Sequence, residues 1–598
     1  VRELCRQLRP LIGRQAEQIH RAFLVEDEVG RAQILDHLEL LAAERLHGGS
    51  DALDDTLMPI PPSADVAAGP YHLGELTYAG RRLGPFGLRE SEWLAHVGIF
   101  GRSGAGKTNL GFLVVESLVK AGKPVLIFDW KRNYRDLLGR PDFDNLVVYT
   151  VGRGVAPLRF NPLIPPTGTP AKTWLKKIIA VIAHAYLLGD GVLYLLQEAL
   201  DAVYAAAGVY AGSVQRWPTF RDVLAALRKR EVSGREAGWM SSALRALSSL
   251  CFGEMDGLLN VGAAPIEDLL QRPVVLELDT LTQSDKVMVV QSMLLWIHHY
   301  RMAEGAREVF KHAIVIEEAH HVLSNERRSL VGGQSVMELT FREIREFGES
   351  IIILDQQPSS IAPSALANTY ATFCFNVKHR ADISAIAQTM LLSEDRNEVL
   401  SRLPVGEAVV RLQGRGDGPF TIAAPEYPIR KGSVTDAAVV AQLQRLRFAG
   451  VLTDVERTDD APTISDCGSA GEVRVADSGA YGDRPAEVFA PPNNSGEGME
   501  HRIFGDWHGI DALGRAFLRD IHAHPASGVA DRYRRLDLSV RQGQKLKDRL
   551  IAAGFVAEQI SITTRGRIRV IRLTEQGRMH VDAHDQPHDQ DSAKREWS

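Results

Sequence analysis

Two stretches of the 598-residue chain place chemically capable side chains at meaningful intervals. The first, GRSGAGKT from Gly101 to Thr108, matches the pattern G-x-x-x-x-G-K-[ST] in full. Glycines at those positions let backbone N–H groups curl around a phosphate, Lys107 can reach the outer phosphates, and the Thr108 hydroxyl suits Mg²⁺. The expected cradle is Gly101, Arg102, Ser103, Gly104, Ala105, Gly106, Lys107, Thr108 and Asn109. The second stretch, AIVIEEAHHVLS over 313–324, ends an apolar run in Glu317, Glu318, His320 and His321. Beside a phosphate loop such acids have a natural division of labour: Glu317 orients Mg²⁺ through water and Glu318 polarises the attacking water. A nearby metal charge keeps Glu318 ionised for that task. Zinc is the rival occupant, but the H-E-x-x-H spacing is missing and no cysteine lies near. The two histidines then read as helix-start residues.

These residues need a scaffold that brings distant segments to one edge. The phosphate loop follows the strand-like HVGIF and precedes the helical TNLGFLVVESLVKAG. Further apolar runs, KPVLIFDW, NLVVYTVG, PVVLELDTL, AIVIEEA, SIIILDQQ and ATFCFNV, are spaced by helical sequence, which predicts a mostly parallel sheet covered on both faces. The expected class is α/β, a RecA-like P-loop core over 66–452 with a helical insertion at about 165–265. VGEAVVRLQGRGDGPFTIAAP reads as a β-hairpin, and YHLGELTYAGRRLGPFGL as strand, turn, strand. Residues 1–65 show three- and four-residue apolar spacing that predicts an N-terminal helical hairpin. Residues 453–500 are acidic and rich in Gly, Ser and Pro, as flexible tethers are, and 583–598 form a polar tail.

The segment 501–582 parses as three helices and a hairpin, an order that resembles a winged helix-turn-helix. Ser539 and Gln542 predict a capping box at the start of its third helix. Residues 531–580 hold twelve Lys and Arg against five Asp and Glu, so this part is basic while the whole chain carries a net charge of −6. Arg541, Lys545, Lys547, Arg565, Arg567 and Arg569 are the candidates for meeting DNA phosphates or a groove.

Taken together, HVGIFGRSGAGKTN, VLIFDWKRNYRDL, IVIEEAHHVL, REFGESIIILDQQPSSIAPSALANTYATFCFNV and LPVGEAVVR resemble the HerA/FtsK superfamily of ring-forming P-loop ATPases, nearer its HerA branch. The likeness extends over about residues 70–430. It implies that ATP and Mg²⁺ bind at subunit interfaces of a homo-oligomer, typically a hexamer, with double-stranded DNA through the pore and a partner nuclease or defence effector alongside. It further implies that Gln356 senses the γ-phosphate and that Arg345 is an arginine finger directed at a neighbouring subunit, with Arg342 and Arg380 as weaker candidates. Two departures stand out. Asn133 occupies a position where relatives usually show an acid, and the N-terminal β-barrel of archaeal relatives is not evident. The alternatives are an ATP-switched assembly scaffold and a conjugation or secretion ATPase.

Composition adds exclusions. A hydrophobic fraction of 45% with 24% charged residues is that of a globular protein. The longest apolar stretches are broken by charges before they could span a bilayer, and VRELCRQLRP lacks the apolar core of an export signal. Cys5, Cys251, Cys374 and Cys467 are too scattered for a disulfide framework, so a cytoplasmic setting is expected.

Overall fold

A computed structural model of the chain describes residues 1–46, 59–262, 266–324, 336–416, 418–452, 512–525, 527–563 and 566–584. They fall into two compact units, one within 1–467 and the other within 468–598. The expected tether at 453–500 and tail at 583–598 lie outside the described residues, apart from the tail's first two positions, 583 and 584.

The first unit is organised by an eleven-stranded sheet in the order β2-β1-β11-β10-β9-β3-β8-β7-β4-β6-β5. Seven neighbouring strands are parallel: β9 (Ala371–Cys374), β3 (Val97–Phe100), β8 (Glu349–Asp355), β7 (His312–Glu317), β4 (Val125–Asp129), β6 (Val274–Glu277) and β5 (Val147–Thr150). Every residue of β3, β4, β6, β7, β8 and β9 is buried, which is why their sequences read as unbroken apolar runs rather than alternating ones. Beyond β9 the sheet turns antiparallel through β10 (Glu407–Leu412), β11 (Phe420–Ala423), β1 (Tyr71–Tyr78) and β2 (Arg81–Leu88).

Helices α1 (Arg2–Ile12), α2 (Arg14–Val25) and α3 (Glu28–Arg45) precede the sheet. The periodicity predicts one helix where α1 and α2 stand; the backbone breaks at Gly13, φ 58° and ψ −130°, a conformation open chiefly to glycine. These helices share a small core of Cys5, Leu8, Ala16, Leu38, Ala42 and Leu46 that closes on Tyr78 of β1. A short α4 (Ala64–Ala67) leads into β1, and α5 (Lys107–Lys120) follows β3. Between β5 and β6 lie α6 (Ala171–Tyr186), α7 (Asp190–Ala206), α8 (Phe220–Arg228), α9 (Arg235–Leu250) and α10 (Glu254–Leu259). The long α11 (Gln283–Glu304) is buried on nearly all sides, polar residues such as Asp285, Gln291 and Arg301 included.

The second unit contains helices Ala512–Ala523, Val529–Arg535 and Val540–Ala552, the hairpin of β12 (Val556–Thr563) and β13 (Gly566–Leu573), and a final helix Glu575–His584. Its own core includes Phe517, Leu518, Ile521, Leu546, Leu550, Val556 and Ile571. The third helix is capped at Ser539, whose hydroxyl accepts from Gln542 N while the Gln542 side chain returns to the Ser539 backbone.

Candidate active site

Parallel α/β sheets bind ligands at the carboxyl ends of their strands. Here Phe100 is in register with Asp355, Glu317 with Leu354, and Asp129 with Glu277, so the tips of β3, β8, β7 and β4 stand side by side. The phosphate loop leaves the tip of β3 and enters α5, which opens at Gly106 without a side-chain cap. Its first N–H groups are therefore available to an anion.

The loop is tightly shored from below. Gly101 and Gly106 have φ of 149° and 126°, and a Cβ on either would press into Phe375, at 2.7 and 2.9 Å. Arg102 bonds Asn376 twice, N to O at 2.7 Å and Nε to Oδ1 at 2.9 Å. Gly406 N donates to Ala105 O at 3.0 Å, and Asn109 is tied to Pro425 O and Tyr427 N at 2.8 and 2.7 Å. Lys107 donates to the loop's own Arg102 carbonyl at 3.0 Å, and burial lowers its pKa to about 8. A bound triphosphate would restore full charge to that ammonium.

Opposite the loop, Glu317 and Asp129 are both buried, and both carboxyls are held above their ordinary range, first by burial, with the charge of Asp129 adding to it at Glu317 and the charge of Glu277 at Asp129. Asn133 donates to both Glu317 oxygens at 3.3 and 3.4 Å. Asp129 accepts from Lys131 N and Tyr134 N at 2.9 and 2.8 Å, shaping the turn that carries Asn133. Crowded acidic oxygens of this kind are a donor set that fits Mg²⁺.

Glu318 follows at φ 48° and ψ 48°, a left-handed conformation unusual for a residue with a side chain. Gln356 Nε2 donates to its Oε1 at 2.6 Å, and Lys131 Nζ bonds the same oxygen. His320 is turned to the neighbouring strand tip: its N and Nδ1 donate to Asp355 Oδ2 at 2.7 and 2.9 Å. Burial works against charge on His320, but the Asp355 carboxylate outweighs it and holds its pKa above the ordinary value. His321 stacks on Trp130.

Of the residues singled out by sequence, the structure thus brings Lys107, Thr108, Glu317, Glu318 and Gln356 to one edge. Arg345 is not among them: it lies exposed in the turn Ile344–Phe347, before β8 and at the opposite end of that strand from Gln356. Arg342, near the end of the helix Val336–Glu343, is on that far side too, whereas Arg380 opens the helix Arg380–Met390 after β9. Sequence reasoning missed Lys131, Phe375, Asn376 and Gly406.

In the second unit Lys545 is exposed on the helix Val540–Ala552, which also contains Arg541, while Arg567 and Arg569 lie on β13 and Arg565 falls outside the described residues. Lys547 is a correction: its side chain is buried and ion-paired with Glu558 of β12, so it does not face a DNA backbone.

A phosphate loop at the tip of a central strand, with acids on the neighbouring tips, defines a RecA-like P-loop ATPase core. Comparison with known proteins narrows this. Residues 71–171 match the family described as "Helicase HerA, central domain". The DNA double-strand break repair helicase HerA of Saccharolobus solfataricus is 24% identical over 339 residues, 54% of this chain and 63% of that protein, so the chain spans a little under two thirds of the relative's length. Among solved structures, VirB4 of Thermoanaerobacter pseudethanolicus superposes with a TM-score of 0.46 at 18% identity, covering 56% of this chain and 90% of that one. The bacterial conjugative coupling protein TrwBdeltaN70 gives 0.45 at 11% identity over 60% and 90%. Over residues 71–171 the chain is thus similar to the HerA central domain, on a fold that carries a P-loop ATPase core.

Proposed function

We propose that the protein hydrolyses ATP with Mg²⁺ and uses the energy to move double-stranded DNA through a ring of its own copies, a hexamer, in company with a partner nuclease or defence effector in the cytoplasm. The observation that carries this reading is the meeting of Lys107, Glu318 and Gln356 at adjoining strand tips around an uncapped helix start. The loop N–H groups and Lys107 would hold the phosphates, and Thr108 and Glu317 would hold Mg²⁺. The metal, when bound, neutralises charge on the transferring phosphoryl group. Glu318 takes a proton from water as it attacks the γ-phosphorus, Gln356 reports the γ-phosphate, and Arg345 arrives from a neighbouring copy.

The relative's name supports a DNA substrate, and a structure of the plasmid coupling protein TrwB holds ADP and Mg²⁺. In the second unit, proposed as a winged-helix-like module, Lys545 remains the described exposed cation for DNA, with Arg541, Arg565, Arg567 and Arg569 its companions. No described helix is long and apolar enough to cross a membrane. The test is ATP turnover with and without duplex DNA. Stimulation by the duplex, lost in Glu318→Gln, is expected; turnover indifferent to DNA would leave an ATP-switched scaffold and remove the motor.

A further inference from the structure

The contact between Lys131 and Glu318 is absorbed by none of the roles above. Lys131 belongs to the turn after β4, where Asp129 fixes its backbone N at 2.9 Å, and its ammonium crosses to the tip of β7. Both bonds to the Glu318 carboxylate, from Lys131 and from Gln356, fall on Oε1. His320 Nδ1 stands 3.8 Å from Oε2, outside hydrogen-bond range. A general base needs one oxygen held and the other free to take a proton from water. The Lys131 side chain is about half exposed, so its ammonium is no structural plug in the core, while the Glu318 side chain is largely covered.

We infer that Lys131 is a positioning residue for ATP hydrolysis: with Gln356 it grips Oε1 of Glu318, so that Oε2 is left to face the attacking water. The two grips are not equivalent. Gln356 supplies a neutral amide donor, whereas Lys131 supplies a charge-assisted bond to the same oxygen. Lys131 belongs to the turn after β4, outside the phosphate loop, and acts through its bond to Glu318. The inference rests on the ATPase reading and assigns to this chain's own turn a role in that site.

The experiment measures ATP turnover and equilibrium binding of a fluorescent ATP analogue for wild type, Lys131→Met and Lys131→Arg. Lys131→Met keeps the aliphatic stem and removes the charge. Its kcat is expected to fall roughly ten- to a hundredfold, up to the lower end of what general-base catalysis contributes, because Gln356 still holds Oε1. KM and analogue affinity should stay within about threefold, because the phosphate contacts are untouched. Lys131→Arg, which can still donate to Oε1, should recover most of the loss. A Lys131→Met enzyme with unchanged kcat, or one that loses analogue binding in step with turnover, would overturn the role of Lys131 while leaving ATP hydrolysis standing. A wild-type protein that binds the analogue but turns over no ATP would overturn both.

Discussion

At Glu318 the strained backbone and the chemistry coincide. A left-handed conformation costs a side-chain-bearing residue about 1–2 kcal/mol, and here it lets the chain turn from β7 so that the carboxylate meets Lys131 and Gln356. Glu318→Gln keeps the shape and removes the basic oxygen, so turnover should drop by about 10²–10⁴ while nucleotide affinity persists, as single-turnover and binding assays would show. Three histidines act on stability instead. Burial drives the pKa of His96, His298 and His299 down to about 4 from an ordinary 6.5. His96 has a defined reason to stay neutral: Nε2 donates to Phe341 O at 2.6 Å and Nδ1 accepts from Ile351 N at 3.0 Å. Protonation then favours the unfolded chain. The stabilisation is complete above pH 6.5 and drains away as pH falls through about 4. Denaturant midpoints measured from pH 8 to pH 4 should decline across that window, and His298→Leu should make the decline shallower.

Among the elements, the turn after β4 joins two parts of the first unit. One side of it meets Glu318 through Lys131 and Glu317 through Asn133. Its other side latches the segment that opens the helix Asp436–Phe448: Asp136 accepts from Gly432 N at 2.7 Å and Val434 N at 2.9 Å, and Arg135 reaches Asp436 at 2.7 Å. Beneath lies Glu277 at the tip of β6, fully buried and gripped by Arg135 at 2.6 Å and Arg153 at 2.5 Å. Removing one partner of a buried pair strands the other, so Glu277→Gln should cost about 3–5 kcal/mol in equilibrium unfolding. None of this latch is visible in the sequence, and the reason is range. The phosphate loop is legible because its chemistry lies within eight residues, and the parallel strands because burial on both faces leaves apolar runs. Asn376, by contrast, supports Arg102 from 274 residues away, and Lys131 looks like any cation after a strand. Helical spacing across residues 2–25 marks an apolar face but not the break at Gly13. A charge count marks Lys547 as basic without showing that Glu558 has claimed it.

For the whole molecule, the position of Arg345 bears on how many copies a working site needs. Strand β8 has seven residues at about 3.3 Å each, so Arg345 stands roughly 20 Å from the tip where Gln356 meets Glu318. An extended arginine spans about a third of that distance, reckoned from ordinary covalent geometry. Arg345 therefore cannot serve its own phosphate loop, and if it stabilises the transferring phosphoryl group it does so for another copy across a head-to-tail interface. This has a consequence that single variants do not expose. Lys107→Ala should abolish turnover by emptying the phosphate site, and Arg345→Ala by withdrawing the finger, each to background when assayed alone. Mixed in equal amounts and allowed to reassemble, they form interfaces in which an Arg345→Ala copy supplies an intact phosphate loop and a Lys107→Ala copy supplies the intact arginine. With random mixing about one interface in four has that combination, so the mixture should recover up to about a quarter of wild-type turnover. A finger acting within its own chain would give no recovery at any ratio, and turnover would stay at the background of the two variants measured separately.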